Sequence, residues 1–396
     1  MPLYAAGFNA WNQLCLQPPD SVSDSAEPDD ITSFACVFPD QGIRCVRPFL
    51  SYTRDIQTKA PKLTSLLVEL ENGQSKIAGL VPGDHQRLLS QDKNTYATFA
   101  EASNDTVVVV SDQDSKPILK QYPSLPSLLA NPSAPSDTFP LPSDPSSTVP
   151  TQLQLVSYAT GFAVLDKSTG HVWTWGDERY VSCLGRDVTE ESPAHHPHPV
   201  PSLLDLPTGP ITKLASNPLG YVLAALTSGG DVYCWGDVTR NGGALSHCSC
   251  LNLSENFGAP VPIVIQNNHA HNQQQEAEAE EEEDGKDIAD IAVGDAHMLA
   301  LTRDGEVYVL GDNSNGQLGM DPQAVGSRGS GDGSDGGGGG LRRDGLGNNL
   351  RITESWTVDT LLNAMSSIRA LSSSKLRCVA LRACPRLVYS HASGKK

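Results

Sequence analysis

Two clusters of histidine and cysteine side chains have the residue types that bind transition metals. The first contains His195, His196 and His198 with prolines around them, and the second is the run His247-Cys248-Ser249-Cys250. Imidazole nitrogens and thiolates are the usual ligands of structural zinc. Neither cluster supplies a paired C-x-x-C set, and loop histidines or reduced cysteines of this spacing are more often unligated. The sequence therefore predicts no metal at either cluster.

A glycine-rich motif raises the question of nucleotide binding. Gly331, Gly333 and Gly336 spell G-x-G-x-x-G, which binds a pyrophosphate only when it lies between a strand and a helix. Its flanks here are further Gly, Ser and Asp, which predict neither element. The phosphate loop G-x-x-x-x-G-K-[ST] and the nucleophile elbow G-x-S-x-G do not occur in the sequence. We therefore expect no cofactor, no catalytic residue and no enzyme activity.

The charge balance indicates the kind of partner. The chain of 396 residues has 28 basic and 46 acidic side chains, a net charge of -18, with an acidic run from Glu276 to Asp284. Phosphate binding needs clustered Lys and Arg, so we expect no direct contact with nucleic acid. A basic, histone-like protein partner is more compatible with the negative charge of the chain. The acidic run is usually a solvated segment, and its alternative role is electrostatic steering of such a partner.

Several features predict the compartment. The first residues lack the charged and apolar regions of a signal peptide, and no apolar run is long enough to span a bilayer. Nine cysteines with irregular spacing fit reduced thiols better than a disulfide framework. We expect a soluble monomer in the cytoplasm, the nucleus or both, without membrane contact.

Three segments of the chain repeat one pattern. Each has a short apolar strand, a turn with Gly, and a second strand that ends at Gly-Asp, which is the pattern of a β-hairpin. The closing pairs are Gly176-Asp177, Gly236-Asp237 and Gly311-Asp312. Trp175 and Trp235 recur before the first two, which favours packing between neighbouring units over a ligand-binding aromatic surface. The spacing of the pairs predicts one blade of a β-propeller per repeat.

The third segment resembles the regulator of chromosome condensation repeat family. It contains Gly294-Asp295-Ala296-His297 before the apolar strand, and Asn315-Gly316-Gln317-Leu318-Gly319 after Gly311-Asp312. Phe162 and Val222 stand at the position of His297 in the other two segments. The resemblance, which extends to α-tubulin suppressor and related repeat proteins, implies an all-β fold with a single β-propeller of seven blades. Six are recognisable here, including weaker candidates at residues 43–46 with 66–70 and 96–100 with 106–110, so either one blade is unrecognised or the ring is smaller.

The two ends of the chain carry complementary halves of one repeat. Gly7 is followed by Gln13-Leu14 at the same offset as Gly311 is by Gln317-Leu318, with no hairpin before it. Residues 368–371, 376–381 and 387–389 supply strands at the other end. The family resemblance implies that these ends share a blade, which closes the ring and removes an exposed sheet edge. We thus expect one domain over residues 1–396, with disordered insertions at about 123–150, 266–287 and 320–350.

The resemblance leaves two functions open. A non-catalytic scaffold would bind a protein on loops at one rim, where Asp177, Asp237 and Asp312 begin loops and could cap turns or face a basic partner. The alternative is guanine-nucleotide exchange on a small GTPase, which the founding members of the family perform. Fold resemblance alone does not establish exchange. We rank the scaffold first because the net charge is acidic and no basic arm precedes Leu3.

Overall fold

A computed structural model of the chain describes residues 3–7, 9, 12–14, 29–38, 43–51, 62–79, 83–91, 99–113, 116–141, 152–238, 258–263, 287–294, 296–303, 307–312, 316–319, 341–343, 350–352 and 387–391. Within these residues nearly all regular structure is β, arranged as antiparallel sheets that are the blades of a β-propeller.

The first two sheets come from the part of the chain with the weakest repeat pattern. The first contains β1 (Leu3–Gly7) and β2 (Ile31–Phe38), and the second contains β3 (Ile43–Ser51), β4 (Lys62–Leu70) and β5 (Ser75–Gly79). Helix α1 (Gly83–Gln91) follows β5. The pairing of β3 with β4 confirms the predicted hairpin at residues 43–46 and 66–70.

The next three sheets each have four strands in sequence order. The third sheet consists of β6 (Phe99–Glu101), β7 (Val107–Gln113), β8 (Lys116–Tyr122) and β9 (Asp137–Pro140). The fourth consists of β10 (Leu153–Tyr158), β11 (Gly161–Asp166), β12 (His171–Gly176) and β13 (His198–Pro199). The fifth consists of β14 (Ile211–Ser216), β15 (Val222–Thr227), β16 (Val232–Gly236) and β17 (Val261–Ile263). The second strand is buried along its whole length in the fourth and fifth sheets, because neighbouring sheets cover both of its faces.

The last sheet carries the strongest repeat. It contains β18 (Ile288–Val293), β19 (His297–Thr302), β20 (Val307–Asp312), β21 (Leu341–Arg343) and β22 (Leu350–Ile352). Strand β23 (Leu387–His391) then pairs antiparallel with β1, with Ala5 opposite Tyr389. The two ends of the chain therefore lie in one sheet, as the family resemblance implied. The predicted strands at 368–371 and 376–381 lie outside the described residues. The described part of the chain forms six sheets, and a seventh blade stays a prediction.

The hydrophobic core lies between consecutive sheets. One cluster joins the fourth and fifth sheets and includes Leu165, Val172, Leu223 and Trp235. Further clusters join the first sheet with the second, the third with the fourth, and the fifth with the last. Burial of apolar area at each junction is what holds neighbouring blades together.

One prediction is wrong for residues 123–141, which were expected to be disordered. Helix α2 (Leu125–Ala130) begins where the Ser124 hydroxyl accepts from the backbone N–H of Ser127, and β9 pairs with β8. Leu125 and Leu128 are buried against the third sheet, and Phe139 packs toward the fourth. The high Pro and Ser content of this segment suggested disorder, but burial of these few apolar side chains offsets the entropy lost on ordering. Residues 142–151, 264–286 and 320–340 lie outside the described residues.

Two short 3₁₀ helices complete the regular structure, at Glu178–Tyr180 and Pro201–Leu203, with helix α3 (Val181–Leu184) directly after the first. Within the described part of the chain, no helix combines the length and the apolar character needed to cross a bilayer.

Candidate protein-interaction rim

The closing glycines lie at one end of the sheets, which we call the Gly-Asp rim. Gly176 pairs with Gly161, Gly236 with Val222, and Gly311 with His297, at the start of the second strand in each case. A Cβ on Gly236 or Gly311 would collide with the carbonyl oxygen just before that strand, and both have a positive φ, of 123° and 110°. Only glycine fits both constraints, so these residues fix where the chain leaves the sheet. Gly7 has the same conformation, with a φ of 120°.

The register corrects one assignment made from the sequence. Val222 does occupy the position of His297, but in the fourth sheet that position belongs to Gly161, not to Phe162. Phe162 lies opposite Trp175, one place further along the strand. The reason is the turn after β11, where Asp166 pairs directly with His171 and the loop has a different length from its counterparts. The imidazole of His297 is buried against Gly294, where a Cβ would overlap the ring.

Asp177 and Asp237 begin loops directly after the closing glycines, as the pattern predicted, whereas Asp312 is still in β20, opposite Arg351 of β22. The backbone N–H of Asp177 donates to the carbonyl of Thr160 at 3.0 Å, and that of Asp237 donates to the carbonyl of Tyr221 at 2.8 Å. The Asp177 carboxylate also accepts from the backbone N–H of Arg179 at 2.9 Å, so it caps the following 3₁₀ helix. Hydrogen bonds from Arg179 hold the pKa of that carboxyl below its usual value. Asp312 ends β20, and its side chain lies outside the described groups.

Both repeated tryptophans connect one blade to the preceding one. The indole N–H of Trp235, a fully buried side chain, donates to the carbonyl of Cys183 at 3.1 Å. That of Trp175 donates to the side-chain oxygen of Gln121 at 3.1 Å, and its ring stacks on Phe162 with centroids 5.5 Å apart. These contacts place both rings in the core between blades and not on a ligand-binding surface.

The Gln-Leu-Gly loops are buried as well. Gln13 and Leu14 are inaccessible, as is Leu318, and Gln317 is nearly so. A Cβ on Gly316 would contact Thr32 and a Cβ on Gly319 would contact the Phe34 ring, both in β2. The loop of the last sheet therefore lies directly against the first sheet. Together with the pairing of β1 and β23, this contact closes the ring.

A turn that the sequence did not single out occupies the centre of the Gly-Asp rim. Residues Asn217, Pro218, Leu219 and Gly220 lie in the connection from β14 to β15, and we call them the central turn. The Gly220 carbonyl accepts from Ala159 of the fourth sheet, and the Pro218 carbonyl accepts from the Ser103 hydroxyl of the third sheet at 2.6 Å. Leu219 packs against the core cluster of the first two sheets. One turn of the fifth sheet thus contacts the first four sheets. Its Asn-Pro start predicts a turn, but nothing local encodes such distant contacts.

A buried arginine fixes the long loop between β12 and β13. The guanidinium of Arg186 is nearly inaccessible and donates to the carbonyls of Thr174, Ser192, Pro193 and His196. Burial lowers its pKa from the usual value. Because three loop carbonyls and one carbonyl of β12 share one rigid donor, the outward-facing residues 187–191 are held in place.

The histidine cluster lies at the end of this loop. His195 and His196 are exposed with ring centroids 4.4 Å apart, and the pKa of His198 is lowered by burial and by the nearby Arg186 cation. Among the described residues, no group of three or more His, Cys, Asp or Glu side chains is arranged to hold a metal ion. His247, Cys248 and Cys250 and the glycine-rich motif at Gly331, Gly333 and Gly336 lie outside the described residues.

Comparison with known proteins supports the repeat assignment. Residues 288–317, from β18 to the loop after β20, match the family model described as regulator of chromosome condensation (RCC1) repeat. The human regulator of chromosome condensation is 29% identical over 167 residues, which cover 42% of this chain and 32% of that protein. Human E3 ubiquitin-protein ligase HERC2 is 33% identical over 151 residues, 37% of this chain and 2% of that protein. The chain thus spans about a third of the length of the regulator and a small part of the ligase.

A solved structure supports the fold. Prp20p of Saccharomyces cerevisiae, a protein with binding properties toward Gsp1p and histones, superimposes with a TM-score of 0.50 at 11% identity. The match covers 100% of this chain and 92% of Prp20p. The resemblance to RCC1-like repeat proteins and the β-propeller fold predicted from the sequence are confirmed.

Proposed function

We propose that this RCC1-like repeat protein is a non-catalytic scaffold that binds a basic protein partner at its Gly-Asp rim. The observation that carries the proposal is the rigid, acidic loop that follows β12. Residues 177–191 contain five carboxylates, Asp177, Glu178, Asp187, Glu190 and Glu191, against two arginines, Arg179 and Arg186. Since Arg186 is buried, the loop presents a surplus of negative charge to solvent.

The geometry supports binding because the loop is already ordered. The Asp177 cap, the bonds of Arg186 and the contacts of the central turn hold this rim in one arrangement. A partner would therefore lose little affinity to ordering the scaffold. Complementary charge would speed its association and fix its orientation.

A similar protein of known structure suggests two classes of partner. Prp20p has binding properties toward histones, which are basic, and toward Gsp1p, a small GTPase. The positive charge of histones is complementary to the acidic loop of this rim, which favours them as the first candidate partner. Guanine-nucleotide exchange on a small GTPase is the second candidate function. It draws its support from the fold and from the repeat match at residues 288–317.

Charge reversal at the rim tests the scaffold. The variant carries Asp177→Lys, Asp237→Lys and Asp312→Lys, and its control carries Glu71→Lys, Asp231→Lys and Asp287→Lys in or beside the hairpin turns at the opposite rim. Both variants change the net charge equally. Titration with purified core histones at several salt concentrations should show binding that the rim variant loses and the control keeps, and that weakens as salt rises. Equal binding by all three proteins would refute the rim assignment.

A nucleotide-release assay separates the two functions. Small GTPases loaded with a fluorescent guanine nucleotide are mixed with catalytic amounts of the chain. The scaffold proposal predicts release at the intrinsic rate. Nucleotide release well above the intrinsic rate would refute the scaffold-only function and support guanine-nucleotide exchange.

A further inference from the structure

The outer surface of the Gly-Asp rim contains a small apolar patch at the junction of the fourth and fifth sheets. Within the described part of the chain, the large hydrophobic side chains that remain exposed are Ile77 and Val181, and Val181 begins helix α3 at this junction. Tyr180 precedes it, and the Tyr180 ring lies 5.4 Å from the ring of Tyr221, between centroids. Both tyrosines are half-buried: they pack against the core cluster between the fourth and fifth sheets, and part of each side chain remains exposed.

The patch is supported from below. Cys183 and Leu184 of α3 are buried, the Cys183 thiol donates to the Tyr221 carbonyl at 3.2 Å, and the Trp235 indole donates to the Cys183 carbonyl. These bonds connect the helix of one blade to the strand of the next. The patch is therefore preorganised across the blade junction.

One side chain already lies on this patch. The Arg179 guanidinium makes a forked contact with the Asp177 carboxylate, with Nε 3.0 Å from Oδ1 and an Nη 2.6 Å from Oδ2. Its central carbon lies 6.0 Å from the centroid of the Tyr180 ring. A carboxylate fork beside an aromatic face is the arrangement that recognises arginine. Yet 79% of the Arg179 side chain is exposed, so the contact is a solvated one that another guanidinium can replace.

We propose that Asp177, Tyr180, Val181 and Tyr221 form a binding site for an arginine in a basic partner segment, and that Arg179 occupies this site until the partner displaces it. The site rests on the proposed function, whose partner it defines further. Two further acidic residues lie near the site, because Glu178 follows Asp177 in the chain and the backbone N–H of Asp237 donates to the Tyr221 carbonyl. An aliphatic neighbour of the incoming arginine would cover Val181. Lysine fits less well because its ammonium cannot make the planar fork.

A labelled short peptide in which Arg alternates with Leu tests the site by fluorescence anisotropy with the full chain. Matched peptides carry Lys or the neutral isostere citrulline in place of Arg. We expect the affinity to be highest for the Arg peptide, lower for the Lys peptide and lowest for the citrulline peptide. Removing the internal competitor with Arg179→Ala should tighten Arg-peptide binding about two- to fivefold, the range set by an exposed ion pair. The control Arg303→Ala removes the same charge at the opposite rim and should leave the affinity unchanged.

Two further variants remove the site itself. Asp177→Asn keeps an oxygen that can cap the 3₁₀ helix but removes the charge of the fork, and Val181→Ser removes the apolar contact. Both should weaken binding of the Arg peptide, whereas Asp231→Asn at the opposite rim should not. Unchanged binding in Asp177→Asn, or weaker binding in Arg179→Ala, would overturn the site.

The result also separates this site from the proposed function. If the triple rim variant loses histone binding while Asp177→Asn and Val181→Ser bind the peptide normally, the scaffold stands and the arginine site is refuted. If the unsubstituted chain binds neither histones nor the Arg peptide, both are refuted.

Discussion

The most informative substitution in the blade junctions is Trp235→Phe. Trp235 is inaccessible to solvent, and its indole N–H donates to the Cys183 carbonyl of the preceding blade. Phenylalanine keeps an aromatic ring in the core but removes this donor and the atoms of the second ring. The lost hydrogen bond costs about 1 kcal/mol. The missing buried atoms cost roughly 2 kcal/mol at the usual value per methylene-sized group. We therefore expect the free energy of unfolding to fall by about 3 kcal/mol.

Urea unfolding followed by far-UV circular dichroism measures this loss without relying on tryptophan emission. The exposed substitution Val181→Ala is the control and should change stability by less than about 0.5 kcal/mol. A second readout locates the effect, because loosening of α3 should make the buried Cys183 of the preceding blade react faster with iodoacetamide. A loss below about 1 kcal/mol, with Cys183 still protected, would refute the bridging role of Trp235.

Two other predictions test ring closure and thiol chemistry. Gly319→Ala should lower the free energy of unfolding by about 3 kcal/mol, because the residue has a φ of 76° and its Cβ would strike the Phe34 ring. Gly73→Ala, at a φ of 80° with open space around it, isolates the backbone cost and should lose only about 1 kcal/mol; equal losses in thermal or urea unfolding would argue against the contact with β2. Burial raises the pKa of the Cys234 thiol, which stays protonated and should resist iodoacetamide at mildly alkaline pH, while the exposed Cys36 is modified. Mass spectrometry showing both cysteines modified at the same rate would contradict this burial.

The repeat pattern predicted the blades because it is local. Gly236 and Gly311 need a positive φ and have no room for a Cβ. Trp235 stands directly before Gly236 in the same strand, so each constraint is visible within one hairpin. The family resemblance also predicted correctly that β1 and the last strand share a sheet. The order in residues 123–141 was missed because composition does not show that Leu125, Leu128 and Phe139 can reach a neighbouring sheet.

The remaining features depend on contacts between distant parts of the chain. Leu219 in the central turn packs against the first two sheets, and the contact between the Tyr180 and Tyr221 rings joins two blades. The two tyrosine rings are tilted at 34° to each other, and neither contact has a signal in the spacing of residues. Binding by Asp177, Asp237 and Asp312 stays a prediction. The structure adds that the first of them already caps a helix and holds Arg179.

The pairing of β1 with β23 closes the ring of blades, and the arrangement of the Gly-Asp rim depends on this closure. Ala5 lies opposite Tyr389 in the antiparallel register, at a Cα separation of about 5 Å that a disulfide can span. The measurement is intact-mass and peptide-mapping spectrometry of Ala5→Cys/Tyr389→Cys in a Cys36→Ser background after mild oxidation. We predict a disulfide between positions 5 and 389 in most molecules. The control Ala5→Cys/Asp231→Cys should form no disulfide between positions 5 and 231, because Asp231 lies in another blade. No 5–389 cross-link in the folded protein, or equal cross-linking in the control, would contradict the closed ring.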